Sequence, residues 1–582
     1  MLSLTSLPMW AVLFPGLGAL AAGAIAGPRV RDPGVWARWA VRCGLLVALA
    51  AASYLLFRIQ PSGTVGVTLW NLDSALPVTL QAEVGGTIIS ILVLTAALVV
   101  SFCAVDRRPL ASAALGLAAM GAVLAALSGG LLSLFVGLQL SAVGGIGLSY
   151  ARLPRAASHR IVWAAVADQS VSLIWLGAVV EVLHSAGTLQ FNDIPTGTMT
   201  LPLVVVLLVP AAVRLCTVAL LGRGGADGQG SRDADLSDWL TVAAVPTALI
   251  LLLRVQELSG GSWPSASFGT ILDLLALVVV LGAAARLLLA PSRAADFGAL
   301  LLVSVALVLL GFGSNSPTGT ELGVGAGLFL QIAAAIAARA GLSAQPGPAT
   351  GDRGGGAVTA LVRLGIWTAF FPFSLAPLVA LAGLTLALDS GGWQGVMPTL
   401  GYGCCLLILG LTFRAGVRLP LRAARAQWGL TIPAISLIGS AVVSGWVVTG
   451  VAGAVAFSGA QVTSPLTSPD PFSVELLGIL FPVGYLALLT ALVAVGWVAL
   501  VFAFGSPRVT TVVKPEAVVL LESDLGRRRW VAVDLGRAVS WLTTAREVTM
   551  MGLSMAEREI AERPVWLWVV TTAAVAWLMA QR

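Results

Sequence analysis

Three polar residues interrupt apolar stretches of this sequence and are its best candidates for chemistry inside a membrane. Gln139 lies near the middle of LLSLFVGLQLSAVGGIGLSY, Asp168 lies in WAAVADQSVSLIW, and Arg214 lies in VVLLVPAAVRLC. An ionisable side chain within a bilayer is expensive and needs a partner. Because Asp168 and Arg214 are expected at similar depth on consecutive spans, we predict that they form a buried ion pair.

The types of these three residues limit what they can do with protons. Glutamine has no proton to exchange, and the arginine guanidinium stays charged at any physiological pH. Asp168 could still carry protons alone, but one carboxylate cannot serve a hydrocarbon core of about 30 Å without further relay groups. We therefore favour a structural pair over a proton carrier.

The elements that hold these residues are predicted to be membrane-spanning helices. The chain has 582 residues, of which 58% are hydrophobic and 10% charged, against roughly 25% charged in an ordinary soluble domain. Apolar runs of roughly 20 residues recur along the chain, and lipid favours helices because it cannot satisfy open backbone groups. We predict an all-α polytopic membrane protein with about sixteen transmembrane helices.

Other chemistries find little support in the sequence. The cysteines lie inside apolar runs without metal-binding spacing, and His159 and His184 have no ligand partners nearby, so we expect no metal site. No nucleotide-binding or haem motif rises above chance in this sequence. We expect no catalytic residue and no cofactor. The net charge of +6 comes mainly from arginines in short loops, which indicates orientation and no nucleic-acid partner.

The loops alternate between arginine-bearing and acidic ones. The arginine loops include Arg29, Arg107, Arg108, Arg152, Arg223, Arg293, Arg339 and Arg414, and the acidic loops include Asp73, Asp193, Glu257, Glu321, Asp389 and Asp470. The positive-inside rule places the arginine loops in the cytoplasm and both termini outside, in a multi-pass protein of a bacterial inner membrane. Arg254, near a predicted span end, is expected to snorkel to the interface.

Prolines inside two spans indicate an internal repeat. Pro210 lies in the predicted span 201–221, whereas Pro372 and Pro377 lie in the predicted span 364–388. Paired broken helices in oppositely oriented halves are typical of transporters, although prolines are also common in membrane helices. The predicted organisation has two inverted repeats, each of roughly five helices. Its parts are N-terminal helices over 1–109, repeats over 110–255 and 271–418, C-terminal helices over 430–504, a cytoplasmic segment with a lateral amphipathic helix over 506–563, and a final helix over 564–582.

This arrangement resembles the antiporter-like subunits of respiratory complex I, of multi-subunit cation/proton antiporters and of membrane-bound hydrogenases. The stretch LLSLFVGLQLSAVGGIGLSY resembles the family's fifth span, in which an LFxGLE-type motif precedes a serine- and tyrosine-containing end. The stretch LVPAAVRLCTVALLG resembles its seventh span, in which GFKxxxxPFH carries a central lysine. The resemblance runs from about Leu76 to Phe504 and rests on topology and worn motifs.

The resemblance implies a degenerate proton channel. In active members a glutamate and a lysine form the buried pair whose positions fall here on Gln139 and Arg214. The family's next two lysine positions fall on Pro246 and near Ala380, and the stretch DFGALLLVSVALVLL has no titratable group after Asp296. Nearly all relay positions therefore hold residues that cannot exchange protons.

Three functions remain open at this point. The favoured one is a mainly structural membrane-arm subunit of a complex I-like assembly, of NADH:quinone oxidoreductase or membrane hydrogenase type, with redox and antiporter-like partner subunits. The second is an active proton-translocating subunit that uses a rearranged relay. The third is a stand-alone secondary transporter, for which the lateral helix would have little use.

Overall fold

The computed structural model describes just over half of the chain. The described residues are 6–25, 32–59, 64–71, 77–103, 108–152, 155–221, 243–261, 263–289, 293–314, 320, 323–331, 375–390, 392–417, 473–476 and 479–482. The predicted lateral helix and final helix, most of the predicted C-terminal helices, and Pro372 lie outside these residues.

The described part is predominantly helical, as the composition predicts. Its helices are α1 (Leu7–Ile25), α2 (Pro33–Arg58), α3 (Val84–Cys103), α4 (Pro109–Ala126), α5 (Leu131–Arg152), α6 (Arg155–Ala186), α7 (Leu201–Leu221), α8 (Val245–Leu258), α9 (Ala266–Leu289), α10 (Arg293–Gly313), α11 (Leu375–Ser390) and α12 (Gly392–Val417). Within the described residues, 7 helices are long and apolar enough to cross a membrane, and α7, α10 and α12 contain shorter apolar segments. The chain is thus a multi-pass membrane protein.

Two β-hairpins correct the all-helical prediction. Strand β1 (Val65–Asn71) pairs antiparallel with β2 (Pro77–Ala82), and β3 (Ser473–Leu476) pairs with β4 (Ile479–Pro482). The prediction of C-terminal helices over 430–504 is therefore wrong at residues 479–482, which are extended. In each hairpin two neighbouring segments satisfy each other's backbone groups, so neither needs a helix.

The β1–β2 hairpin also joins two further loops into one hydrogen-bonded layer. Gln81 N donates to Leu127 O at 2.8 Å, and Gly129 N donates to Thr79 O at 3.0 Å. On the other side of the α4–α5 turn, Phe191 N donates to Gly129 O at 3.1 Å. We call residues 77–82, 127–131 and 189–191 the loop layer. These hydrogen bonds pair backbone groups of residues that lie mostly outside helices.

Helices α4 and α5 approach each other backbone to backbone through glycines. A Cβ at Gly137 would lie 2.5 Å from the backbone nitrogen of Ala125, and one at Gly121 would overlap the backbone of Ser141. Small residues at such crossings let membrane helices pack closely, where lipid gives no hydrophobic drive for association. The close contact fixes α5, which contributes a backbone carbonyl to the site below.

Two of the three prolines predicted to break helices, Pro210 and Pro377, lie among the described residues. Helix α7 runs without interruption from Leu201 to Leu221 with Pro210 inside it, so the break predicted at Pro210 is wrong. Pro377 is the third residue of α11, in the first turn, where proline is readily accommodated because the first amide groups have no intrahelical acceptor. In α7 the missing amide removes one backbone hydrogen bond, and the surrounding helix keeps its course.

Candidate functional site

The centre of the candidate site is a buried ion pair between α6 and α7. The Arg214 Nε donates to Asp168 Oδ1 at 2.7 Å, and its Nη2 donates to Asp168 Oδ2 at 3.1 Å. Two parallel bonds of this kind fix both the distance and the orientation of the two side chains. Asp168 is 8% exposed and Arg214 is 5% exposed.

Two more helices complete the surroundings of Arg214. Its Nη1 donates to Thr247 Oγ1 of α8 at 2.9 Å, and its Nη2 approaches the carbonyl of Leu138 in α5 at 3.5 Å. Thr247 Oγ1 in turn donates to Ala243 O at 2.5 Å. One guanidinium therefore links four helices, and each of its nitrogens faces an oxygen.

Gln139 lies beside this site but outside the hydrogen-bonded group. It is partly exposed, and no hydrogen bond connects it to Asp168 or Arg214 among the described residues. The preceding residue, Leu138, contributes its backbone carbonyl to Arg214. The structure thus brings together two of the three residues singled out in the sequence and leaves the third beside them.

Thr247 is a partner that sequence reasoning missed. It follows Pro246, the position to which the resemblance assigns a lysine, and it is 1% exposed. A threonine in a membrane helix commonly donates to the carbonyl one turn earlier, so Thr247 did not need a partner on another helix. The sequence signal that could have indicated its contact with Arg214 is its position next to Pro246, where the resemblance places a relay lysine.

A second buried charge cluster lies around Arg254, and it overturns the expectation that this residue snorkels. Arg254 Nη1 donates to Glu83 Oε2 at 3.2 Å and to Glu257 Oε2 at 2.7 Å, and Nη2 donates to Ala126 O at 3.0 Å. Its guanidinium also lies 5.3 Å from the centre of the Phe191 ring. Arg254 is 4% exposed. It can stay buried because two carboxylates and the end of α4 supply its hydrogen-bond acceptors inside the protein.

The Arg254 cluster joins the loop layer to three helices. Ala126 is the last residue of α4, whose free carbonyls carry partial negative charge that a cation stabilises. Glu83 directly precedes α3, and Phe191 belongs to the loop layer. With one arginine and two glutamates the cluster has a formal excess of negative charge. We call the cluster an electrostatic clamp because attraction to Arg254 holds these elements together.

The geometry of both clusters is that of ion pairing. Each arginine has acceptors on several helices, and neither can act as a proton donor near neutral pH. Removing Asp168, Arg214 or Arg254 would leave an uncompensated buried charge, which is far more costly than losing the attraction of an intact pair. Both clusters therefore favour a positioning role for these charges.

Comparisons with known proteins identify the fold. No protein-family model matches the sequence, and no curated protein sequence matches it. Among solved structures, the chain is similar to a chain of the Mrp complex from Dietzia sp. DQ12-45-1b, with a TM-score of 0.61 and 16% identity, over 99% of this chain and 63% of that one. This chain thus spans under two thirds of the length of the Dietzia chain.

Two further solved structures agree. A chain of the archaeal membrane-bound sulfane sulfur reductase matches with a TM-score of 0.62 and 14% identity, over 98% of this chain and 99% of that one. A chain of respiratory complex I from Thermus thermophilus matches with a TM-score of 0.55 and 16% identity, over 76% of this chain and 98% of that one. At these identities the likeness concerns the fold. The chain has the fold of these chains of the Mrp complex, the sulfane sulfur reductase and respiratory complex I, which confirms the resemblance seen in the sequence.

Proposed function

We propose that this protein is an antiporter-like membrane-arm subunit of a multi-subunit complex I-like or membrane hydrogenase-like assembly, and that its own proton channel is degenerate. Its main role is structural: it fills one place in the membrane arm and contacts other membrane and redox subunits. The arginine loops face the cytoplasm, and both termini lie outside. The protein carries no catalytic residue of its own.

The observation that carries this proposal is the set of contacts made by Arg214. At the position where the family's channel has a lysine, this chain has a guanidinium that is hydrogen-bonded to Asp168 and Thr247. A lysine releases its proton when its surroundings disfavour charge, whereas arginine does not. A cation that cannot lose its proton supports a structural role and argues against a relay at this position.

The partnership is tested by purification from the native host. The tagged chain is extracted from membranes in mild detergent, and co-purifying proteins are identified by mass spectrometry. We expect antiporter-like and redox subunits in stoichiometric amounts. A monodisperse single-chain particle that transports an ion in liposomes would overturn the proposal and support a stand-alone transporter.

The structural role is tested by Asp168→Asn in the same host. We expect less assembled complex, with normal ion pumping per assembled complex, because the variant removes an anchor and no relay group. Asp193→Asn is the matched control, because Asp193 is exposed. Normal assembly with lost pumping would instead assign proton transfer to Asp168, as the active-subunit alternative requires.

A further inference from the structure

A further buried carboxyl, Asp273 of α9, differs from those in the two clusters because no cation accompanies it among the described residues. Asp273 is 6% exposed, and its Oδ1 is buried without a hydrogen-bond partner among the described residues. It is the eighth residue of α9, about 10 Å along the axis from the first. By contrast, Asp168, Glu83 and Glu257 are each paired with an arginine.

The surroundings of Asp273 disfavour a negative charge. Its carboxyl packs against the backbone of Gly313, where a Cβ would collide with it. Gly313 is the last residue of α10, so the carboxyl lies at the negative end of a helix dipole. The last carbonyls of α10 accept their hydrogen bonds elsewhere: Phe312 O from Trp263 Nε1 at 2.9 Å, and Gly311 O from Ser314 Oγ at 2.6 Å.

Within the described ranges, the charged and titratable groups on the elements packed against α9 do not compensate a negative charge on Asp273. Helix α9 packs against α10 and α12. From α12 the titratable side chain that interacts with Asp273 is Tyr402, which is neutral and buried. The charged residues Arg293 and Asp296 lie in the first turn of α10, about 30 Å and about 25 Å along the axis from Gly313. Arg286 lies 13 residues further along α9, at a distance of about 20 Å.

We propose that Asp273 is a proton-binding site, whose carboxyl holds a proton at neutral pH. A neutral carboxyl carries no uncompensated charge and meets no repulsion from the end of α10, whereas an ionised one would suffer both effects. The occupant is a proton because the part of the chain that the structure describes places a single carboxyl there, without further acidic, histidine or cysteine ligands for a metal cation. The site lies apart from the Arg214 position, and it goes beyond the structural role proposed above.

A hydrophobic carbodiimide tests the protonated state directly, because it reacts with protonated carboxyls in apolar surroundings. Native membranes that contain the assembled chain are treated with dicyclohexylcarbodiimide, and adducts are located by peptide mass spectrometry. Asp168 is paired with Arg214 and Asp193 is exposed, so we expect at least about tenfold more adduct on Asp273 than on either of them. The excess should fall as the pH is raised, and should be the same in sodium, potassium and choline chloride.

Two outcomes of this labelling would overturn the proposal. Equal labelling of Asp273 and the paired Asp168 would show that Asp273 is ionised. Protection of Asp273 by sodium or potassium, relative to choline, would show that the site binds a metal cation in place of a proton.

A second measurement does not depend on access of the reagent. In the purified assembly, the thermal midpoint of Asp273→Asn is compared with that of the unmodified protein from about pH 5 to about pH 9. A carboxyl that keeps its proton when folded and loses it when unfolded makes folding less favourable as the pH rises, by up to about tenfold in the folding equilibrium per pH unit. We therefore expect the unmodified protein to lose stability relative to the asparagine variant as the pH rises.

Parallel stability curves of the two proteins would overturn the proposal even if labelling failed. Both tests are independent of the proposed structural role. A chain that purifies alone can still show the labelling pattern, and a chain that assembles normally can lack it.

Discussion

At the scale of single residues, Arg214 is a buried charge held by hydrogen bonds to oxygens on neighbouring helices. Its partners come from α5, α6 and α8, so its full set of hydrogen bonds forms only when these helices are packed together. Replacing a buried pair by apolar residues of similar volume is often neutral, whereas removing one partner is costly. This difference separates a structural pair from a functional one.

A double-mutant comparison tests this distinction. Asp168→Asn alone should destabilise the protein by about 3–5 kcal/mol, because it leaves Arg214 buried without its counter-ion. The double variant Asp168→Leu with Arg214→Met should regain much of the loss, which detergent-solubilised thermal unfolding would measure. The structural pair would be contradicted if the double variant lost as much unfolding free energy as Asp168→Leu and Arg214→Met lose together when each is made alone.

We expect substitutions of different members of the Arg254 cluster to have unequal effects on stability. Glu83→Gln removes one of two negative charges around a single cation, so we expect a small change in thermal midpoint. Arg254→Gln leaves two neighbouring carboxylates and the end of α4 without a cation, and we expect a loss of about 3–5 kcal/mol. Equal effects of the two substitutions would show that the cluster does not act as a clamp around Arg254.

Sequence reasoning succeeded for some of these residues and failed for others for physical reasons. The pairing of Asp168 with Arg214 follows from depth alone, because each charge needs an opposite charge at its own level in the bilayer. The partners of Arg254 could not be found in this way, because Glu83 is 171 residues away and reaches Arg254 only through helix packing. Asp273 escaped notice because its lack of a partner is a property of the folded structure.

At the scale of elements, the contact between α4 and α5 depends on the absence of side chains. Gly137→Ala places a Cβ against the backbone of Ala125, which cannot move without shifting a helix. We expect a loss of about 1–3 kcal/mol in unfolding free energy. Gly177→Ala in α6 is the matched control, because a Cβ there has nothing within 4 Å.

The control should be neutral or slightly stabilising, since alanine is the better helix former. Thermal unfolding in detergent would compare the two variants. If Gly137→Ala and Gly177→Ala had the same effect, the close approach of α4 and α5 would not contribute to stability.

Elements that are determined by a hydrophobic run could be predicted from the sequence. Elements that depend on pairing between distant segments could not. The predicted span 201–221 matches α7, because its apolar length matches a bilayer crossing. The β1–β2 hairpin was missed because its strands are stabilised by each other and by the loop layer, which short windows of sequence do not reveal. Pro210 predicted a break, but tertiary packing and an apolar environment keep α7 helical around it.

At the scale of the whole molecule, the alternation of arginine and acidic loops predicts which side each loop faces. We expect a cysteine introduced at Asp193 to react with a membrane-impermeant maleimide added outside intact cells, and one at Arg108 to react only after the cells are opened. Both substitutions are made in a background with the native cysteines replaced by alanine, and labelling is read by gel shift. The reverse pattern would invert the proposed orientation.

The pair between α6 and α7 also has a consequence for biosynthesis. An arginine at the centre of a helix opposes transfer from the translocon into lipid by about 2.5–3.5 kcal/mol. Asp168 is synthesised 46 residues before Arg214, so the counter-ion is already at the membrane when the charged helix emerges. Helices α6 and α7 are therefore expected to leave the translocon together, as a hairpin whose charge is neutralised before lipid surrounds it.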